Sequence, residues 1–148
     1  MNRALRISLV ITRISFGWVF FWAGLSKIIN PSWSAVGYLS NSSTFPKLFE
    51  WFTSASNIGW VNFVNEWGLL LIGVSLILGL FVRWASIAGI ILMILYWLPL
   101  LDFPYVGHGI IIDDHIMYAF IFAILIHAKA GKYFGLEKIW NKKFSKKN

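Results

Sequence analysis

The sequence predicts an all-α membrane protein, a four-transmembrane-helix bundle with both termini cytoplasmic and an extracytoplasmic interfacial helix in the first loop. Three observations carry that expectation. Hydrophobic residues make up 58% of the 148 positions and charged residues only 13%, well below the charged share of a soluble domain. Four apolar stretches each approach the roughly 20 residues that a helix needs to cross the hydrocarbon core. Lys and Arg gather where only one side of a membrane would receive them. Residues 1–148 are therefore read as a single membrane domain with the lipid bilayer as its first partner.

The first span covers about 5–29. Its basic start, Met1-Asn2-Arg3-Ala4-Leu5-Arg6, has the look of a signal peptide, but the apolar run behind it is too long and has no small-residue cleavage site, so it reads as retained. Arg13 lies inside it. The second span, about 60–81, enters with Glu66, and the third, about 84–101, carries no charge. The fourth, about 110–128, holds Asp113-Asp114-His115 near its start, which places those groups at the membrane edge or inside the bundle.

Orientation follows from the loops. Arg3 and Arg6, Arg83 in the turn between the second and third spans, and the basic tail at 129–148 must share one side, which requires an even number of spans. The opposite side holds 31–59 and 102–109, where Lys47 is nearly the only basic residue. The first outer loop is long for so small a bundle. In it Thr44-Phe45-Pro46 resembles a helix start with Thr44 as cap, and Phe45, Leu48, Phe49 and Phe52 then fall on one face. That pattern fits a helix lying on the membrane surface over the outer mouth; it equally fits a loop that packs its aromatics on the bundle.

Charge and cysteine content limit the function. The net charge of +7 does not point to nucleic acid, because seven of the thirteen basic residues follow Ala128, where anionic headgroups attract them. With no cysteine, the chain has no disulfide, thiol nucleophile, Cys-ligated zinc, iron–sulfur cluster or covalent haem. His115 and His127 stand about 18 Å apart on one helix and cannot clamp one haem, and His108 lies in the outer loop, so neither haem nor a metal is expected.

The chemistry that remains sits on few residues. Arg13, Gly17, Phe20, Gly24 and Lys27 recur at steps of four and three and form one stripe, whose small members let a neighbouring helix approach. Arg13 on that stripe either reaches the inner headgroups or is paired within the bundle, with Glu66 as one partner. Lys27 is the easier partner for Glu66 or for the acids of the fourth span. Asp113, Asp114 and His115 occupy successive helix positions about 100° apart, so at least one points inward. Together they would move protons between the outside and the bundle; alternatively they are an acidic helix start, and for Asp113 alone the capping role is favoured.

The run Arg13-Ile-Ser-Phe-Gly17-Trp-Val-Phe-Phe-Trp-Ala-Gly24-Leu-Ser-Lys27 with Pro31, the turn Gly79-Leu-Phe-Val-Arg83, and the close Ile112-Asp113-Asp114-His115-Ile-Met-Tyr118-Ala with Gly131-Lys-Tyr133-Phe-Gly135-Leu136 resemble the motifs of the DoxX/DoxD family, over nearly the whole chain. That resemblance implies a four-helix membrane bundle and, for the founding members, a thiosulfate:quinone oxidoreductase that couples two thiosulfates into tetrathionate with a second subunit. The expectation is thus a membrane subunit of a quinone-linked oxidoreductase, with a quinone as cofactor. Asp113, Asp114 and His115 are its candidate catalytic residues. Glu66, Trp67, Tyr118 and Phe20 would serve the quinone slot, and Arg13 and Lys27 would attract an anion such as thiosulfate. The rivals are a non-enzymatic anchor or assembly partner for a soluble oxidoreductase and a small-solute carrier. A homo-oligomer fits any of the three.

Overall fold

The computed structural model describes residues 2–107 and 109–137; His108 and positions 138–148 of the expected basic tail lie outside the described residues. The chain runs through α1 (Arg3–Ile28), α2 (Val36–Leu39), α3 (Pro46–Thr53), α4 (Ile58–Leu78) and α5 (Val82–Leu100). A small antiparallel meander of β1 (Leu101–Asp102), β2 (Tyr105–Val106) and β3 (Gly109–Ile110) follows, then α6 (Asp114–His127) and one 3-10 turn at Ala130–Lys132. The architecture is mostly helical, with the meander as an addition to the expected all-α plan.

Helices α1, α4 and α5 are long and apolar enough to cross a membrane. Helix α6 is apolar too, but its 14 residues rise only about 21 Å against a hydrocarbon core of roughly 30 Å. It starts later than the sequence pattern implies for two local reasons. Gly109 and Ile110 are drawn into strand pairing with Tyr105 and Val106, and the Asp113 carboxylate caps the helix by accepting from the amides of His115 (3.0 Å) and Ile116 (3.2 Å). At the other end of the molecule α4 stops at Gly79, which adopts φ +65°, and the Leu80 amide returns to the Ser75 carbonyl at 3.0 Å.

Two helix pairs build the core: α1 lies on α4, and α6 on α5. The first contact is backbone against backbone. A Cβ on Gly24 would meet the Glu66 carbonyl at 2.8 Å, and one on Gly17 would meet the Cβ of Leu76 at the same distance. The stripe read from the sequence is a buried face, with Gly17 and Gly24 against α4 and Arg13 and Phe20 turned to other parts of the core. In the second pair the Phe122 ring occupies the space that a side chain at Gly89 would need. Phe122 joins the halves, with its ring centroid 4.8 Å from that of Phe16 and 5.0 Å from that of Phe20, both edge-on.

The first loop folds into α2 and α3, and α3 corrects one expectation. Thr44 does not cap it: the Thr44 hydroxyl donates to the Leu101 carbonyl instead, and Phe45 takes the cap position at φ 58° with no side-chain hydrogen bond. The aromatic face is also divided. Phe49 is buried and Phe52 partly buried in a small core with Leu39 and Val61, while Phe45 and Leu48 are exposed.

Candidate functional site

Two polar assemblies lie along α1, one near its middle at Arg13 and one in its last turn at Lys27. At the first, Arg13 is fully buried, and its two terminal guanidinium nitrogens are engaged by backbone, while Nε has no hydrogen-bond partner among the described residues. Nη1 donates to the carbonyls of Ala130 (2.8 Å) and Tyr133 (2.9 Å), and Nη2 to that of Phe134 (3.3 Å). Glu66 is not among its partners; the charge that acts on Arg13 is that of Glu137. Gly79 is needed beside it twice over, for its left-handed backbone and because a Cβ there would stand 2.7 Å from Arg13 Nη1. The Glu137 amide donates to the Gly79 carbonyl at 3.1 Å, so the chain after α6 is bound to both residues. Three separated sequence motifs, around Arg13, Gly79 and Gly131–Leu136, meet at this one point.

About 21 Å further along α1 lies the second assembly. A cavity of about 200 Å³ is lined by Lys27 of α1, Trp33, Tyr38 of α2, Asn65 of α4, Tyr96 of α5 and His115 of α6. Its polar groups form a connected set. Asp113 Oδ2 lies 2.6 Å from His115 Nδ1, the only ion pair among the described residues, and the carboxylate makes Nδ1 the protonated nitrogen, leaving Nε2 free. The His115 ring stands edge-on to Tyr96, with centroids 5.7 Å apart. The Tyr96 hydroxyl donates to Asn65 Oδ1, and the Tyr38 hydroxyl donates to the Tyr96 carbonyl at 2.6 Å. Lys27 donates one hydrogen bond to the Ala23 carbonyl at 3.3 Å and lies 5.1 Å over the Trp33 ring, in the field of Glu66.

Tyr38 is 37% exposed, but its hydroxyl end is drawn inward to Tyr96. Burial there, and secondarily the Asp113 charge, push its phenol well above the ordinary tyrosine value.

Of the residues singled out by sequence, the structure brings Lys27 and His115 together in this cavity and places Asp113 directly behind His115. Asp113 combines the two roles weighed for it, since one carboxylate oxygen caps α6 and the other holds the imidazole. Glu66 is partly buried on α4, next to the wall residue Asn65. Asp114 is exposed and is not a wall of the cavity. Trp67 is exposed beside Phe63, Tyr118 packs against Phe16 in the core, and Arg13 is held at the far end. Sequence reasoning missed Trp33, Tyr38, Asn65 and Tyr96. The one available signal was weak: Asn62 and Asn65, three residues apart in an apolar helix, are uncharged, and so is Tyr96.

The family model of DoxX matches residues 8–101, more than half of the chain and the part that carries all the named cavity walls except His115. No curated protein and no solved structure matches. On that match, and with three helices able to cross a membrane, the chain belongs to the DoxX family of membrane proteins.

Proposed function

We propose that the chain is a multi-pass membrane subunit of a quinone-linked oxidoreductase whose quinone headgroup sits in the Lys27–His115 cavity. The observation that carries this reading is the convergence, on one cavity of about 200 Å³, of aromatic walls with a cation and an oriented imidazole. Those residues fit a quinone ring. Trp33 and Tyr96 offer flat apolar faces, while the free donors of Lys27 and the amide of Asn65 are suited to a ring oxygen. A bound quinone would supply the capacity to take up two electrons with two protons. His115 is the group placed to pass a proton at Nε2, because Asp113 fixes the ring and compensates its positive charge. Lys27 favours negative charge at the same place, which also suits a small anionic donor such as thiosulfate.

The reading includes four spans forming a single membrane domain, with both termini cytoplasmic. Its support is that α6 accompanies α5 along nearly its whole length, from His115 beside Tyr96 to Leu125 near Val82, and that Arg6, Arg83, Lys129 and Lys132 collect at one end. The extended residues before Asp114 then complete the fourth crossing, and α3 lies at the outer interface.

A second reading, a membrane anchor for a soluble oxidoreductase, draws support from Arg13, whose buried charge serves only to fasten the fold. The experiment that separates the two is titration of the purified protein in detergent with a short-chain quinone, following tryptophan fluorescence. Saturable quenching that disappears in His115→Ala and Lys27→Met supports the quinone site. Absence of saturable quenching, with a soluble redox protein co-purifying in stoichiometric amount, supports the anchor.

A further inference from the structure

A larger cavity, about 550 Å³, opens at the opposite end of the bundle from Lys27 and His115, and the proposed chemistry makes no use of it. Arg83 enters it from the first turn of α5, Lys129 from the cap of the 3-10 turn and Lys132 from its last position. None of the three forms an ion pair among the described residues. His127, in the last turn of α6, completes the polar wall; its Nδ1 donates to the Ala123 carbonyl at 2.7 Å, so Nε2 is the nitrogen left free. The one acid on the wall is Glu137, whose carboxylate lies over Gly131 and whose charge also acts on Arg13. Three full positive charges thus face one negative charge. The chain beyond, 138–148, offers five lysines and no Asp or Glu side chain to balance them.

The remaining walls decide the kind of anion. Val82, Leu125 and Ile126 give the cavity an apolar side, and the residues adjoining Arg83 and Leu125 in sequence are exposed and apolar: Trp84 is 70% exposed and Ile124 57%. A free ion would leave that side wet. A lipid would cover it with glycerol and the first methylenes of its chains while its phosphate met the cations, and Trp84 stands where an indole favours the headgroup level. We propose that this cavity is a binding site for the phosphate-bearing headgroup of an anionic phospholipid.

The test is native mass spectrometry of the full-length protein in detergent, titrated with dioleoyl phosphatidylglycerol, dioleoyl phosphatidylcholine or inorganic phosphate. The anionic lipid should bind saturably and at least ~tenfold more tightly than the zwitterionic one, with roughly fivefold lost per charge removed in Arg83→Gln/Lys132→Gln. The charge-conserving Arg83→Lys/Lys132→Arg should retain binding, and Lys142→Gln/Lys143→Gln should change it by less than about twofold if the cavity, and not the tail, holds the lipid. If the double Gln variant does not fold, Lys129→Gln, at an exposed position, carries the same per-charge expectation. Equal binding of the two lipids, unchanged binding in the Gln variants, or an equal loss on neutralising the tail lysines overturns the site. Displacement of the lipid by millimolar inorganic phosphate overturns the lipid assignment in favour of a soluble ion.

Discussion

Gly73 of α4 rests directly on Phe21 of α1: a Cβ at Gly73 would stand 2.5 Å from the Phe21 Cα and 2.7 Å from the Gly17 carbonyl oxygen. Backbone cannot yield as a flexible side chain does, so Gly73→Ala should separate the helices and destabilise the protein by about 1–3 kcal/mol. Gly68, on the same helix, has nothing within 4 Å of such a Cβ, and Gly68→Ala should change stability by less than about 1 kcal/mol. Thermal unfolding of both variants in one detergent measures the contrast; equal melting temperatures would show that the close approach does not matter.

Arg13→Leu removes the donors, leaves the space of the guanidinium empty and strands the carbonyls of Ala130, Tyr133 and Phe134. We expect a loss of about 2–4 kcal/mol and much faster hydrogen exchange of the Glu137 amide. Arg13→Lys should recover only part of the protection, because an ammonium cannot spread over three carbonyls as a planar fork does.

Asp113 and Asp114 are neighbours with opposite placements, one behind His115 and one exposed. Asp113→Asn keeps a capping oxygen, so the fold should survive, but it removes the charge that orients the imidazole. Short-chain quinone binding should weaken by about tenfold, ~1.4 kcal/mol. Asp114→Asn should weaken it by less than about twofold. The reverse order in a fluorescence titration would transfer the proposed chemistry to Asp114.

The Tyr38 phenol is held above its ordinary value in the fold, by burial first and by Asp113 second. A raised native value means that the neutral form is favoured on folding. Its stabilisation is therefore fully present below the unfolded tyrosine value of about 10 and is lost as pH climbs above it toward the native value. Melting temperatures between pH 8 and 11 should fall more steeply for the wild type than for Tyr38→Phe. Tyr96, in the same network, remains in both proteins and serves as the internal reference.

Three of the four expected spans and the small residues of the α1 stripe were legible because they rest on composition and on steps of three and four: apolar runs announce themselves, and Gly17 and Gly24 align with the surface of α4. The partners of Arg13 were not, because they are backbone carbonyls at least 117 residues away, and a carbonyl has no sequence signature. The cavity was half legible. Lys27 and His115 stood out as charges in an apolar chain, whereas Tyr38, Asn65 and Tyr96 are neutral and join the site only through hydrogen bonds across separate helices. Thr44 was misread for a related reason: a hydroxyl beside a helix start has a local acceptor role, and the Leu101 carbonyl, distant in sequence, engaged it as a donor. Trp67 and Tyr118 have the residue types of a quinone slot, yet one faces outward and the other fills the aromatic core.

The clasp on Arg13 also sets an order of assembly. The acceptors leave the ribosome more than a hundred residues after the guanidinium they satisfy, so a nascent chain holds an uncompensated cation in its first helix until synthesis has passed Phe134. A product truncated before that point lacks all or some of those acceptors, so the burial of Arg13 depends on the chain having been made almost to its end.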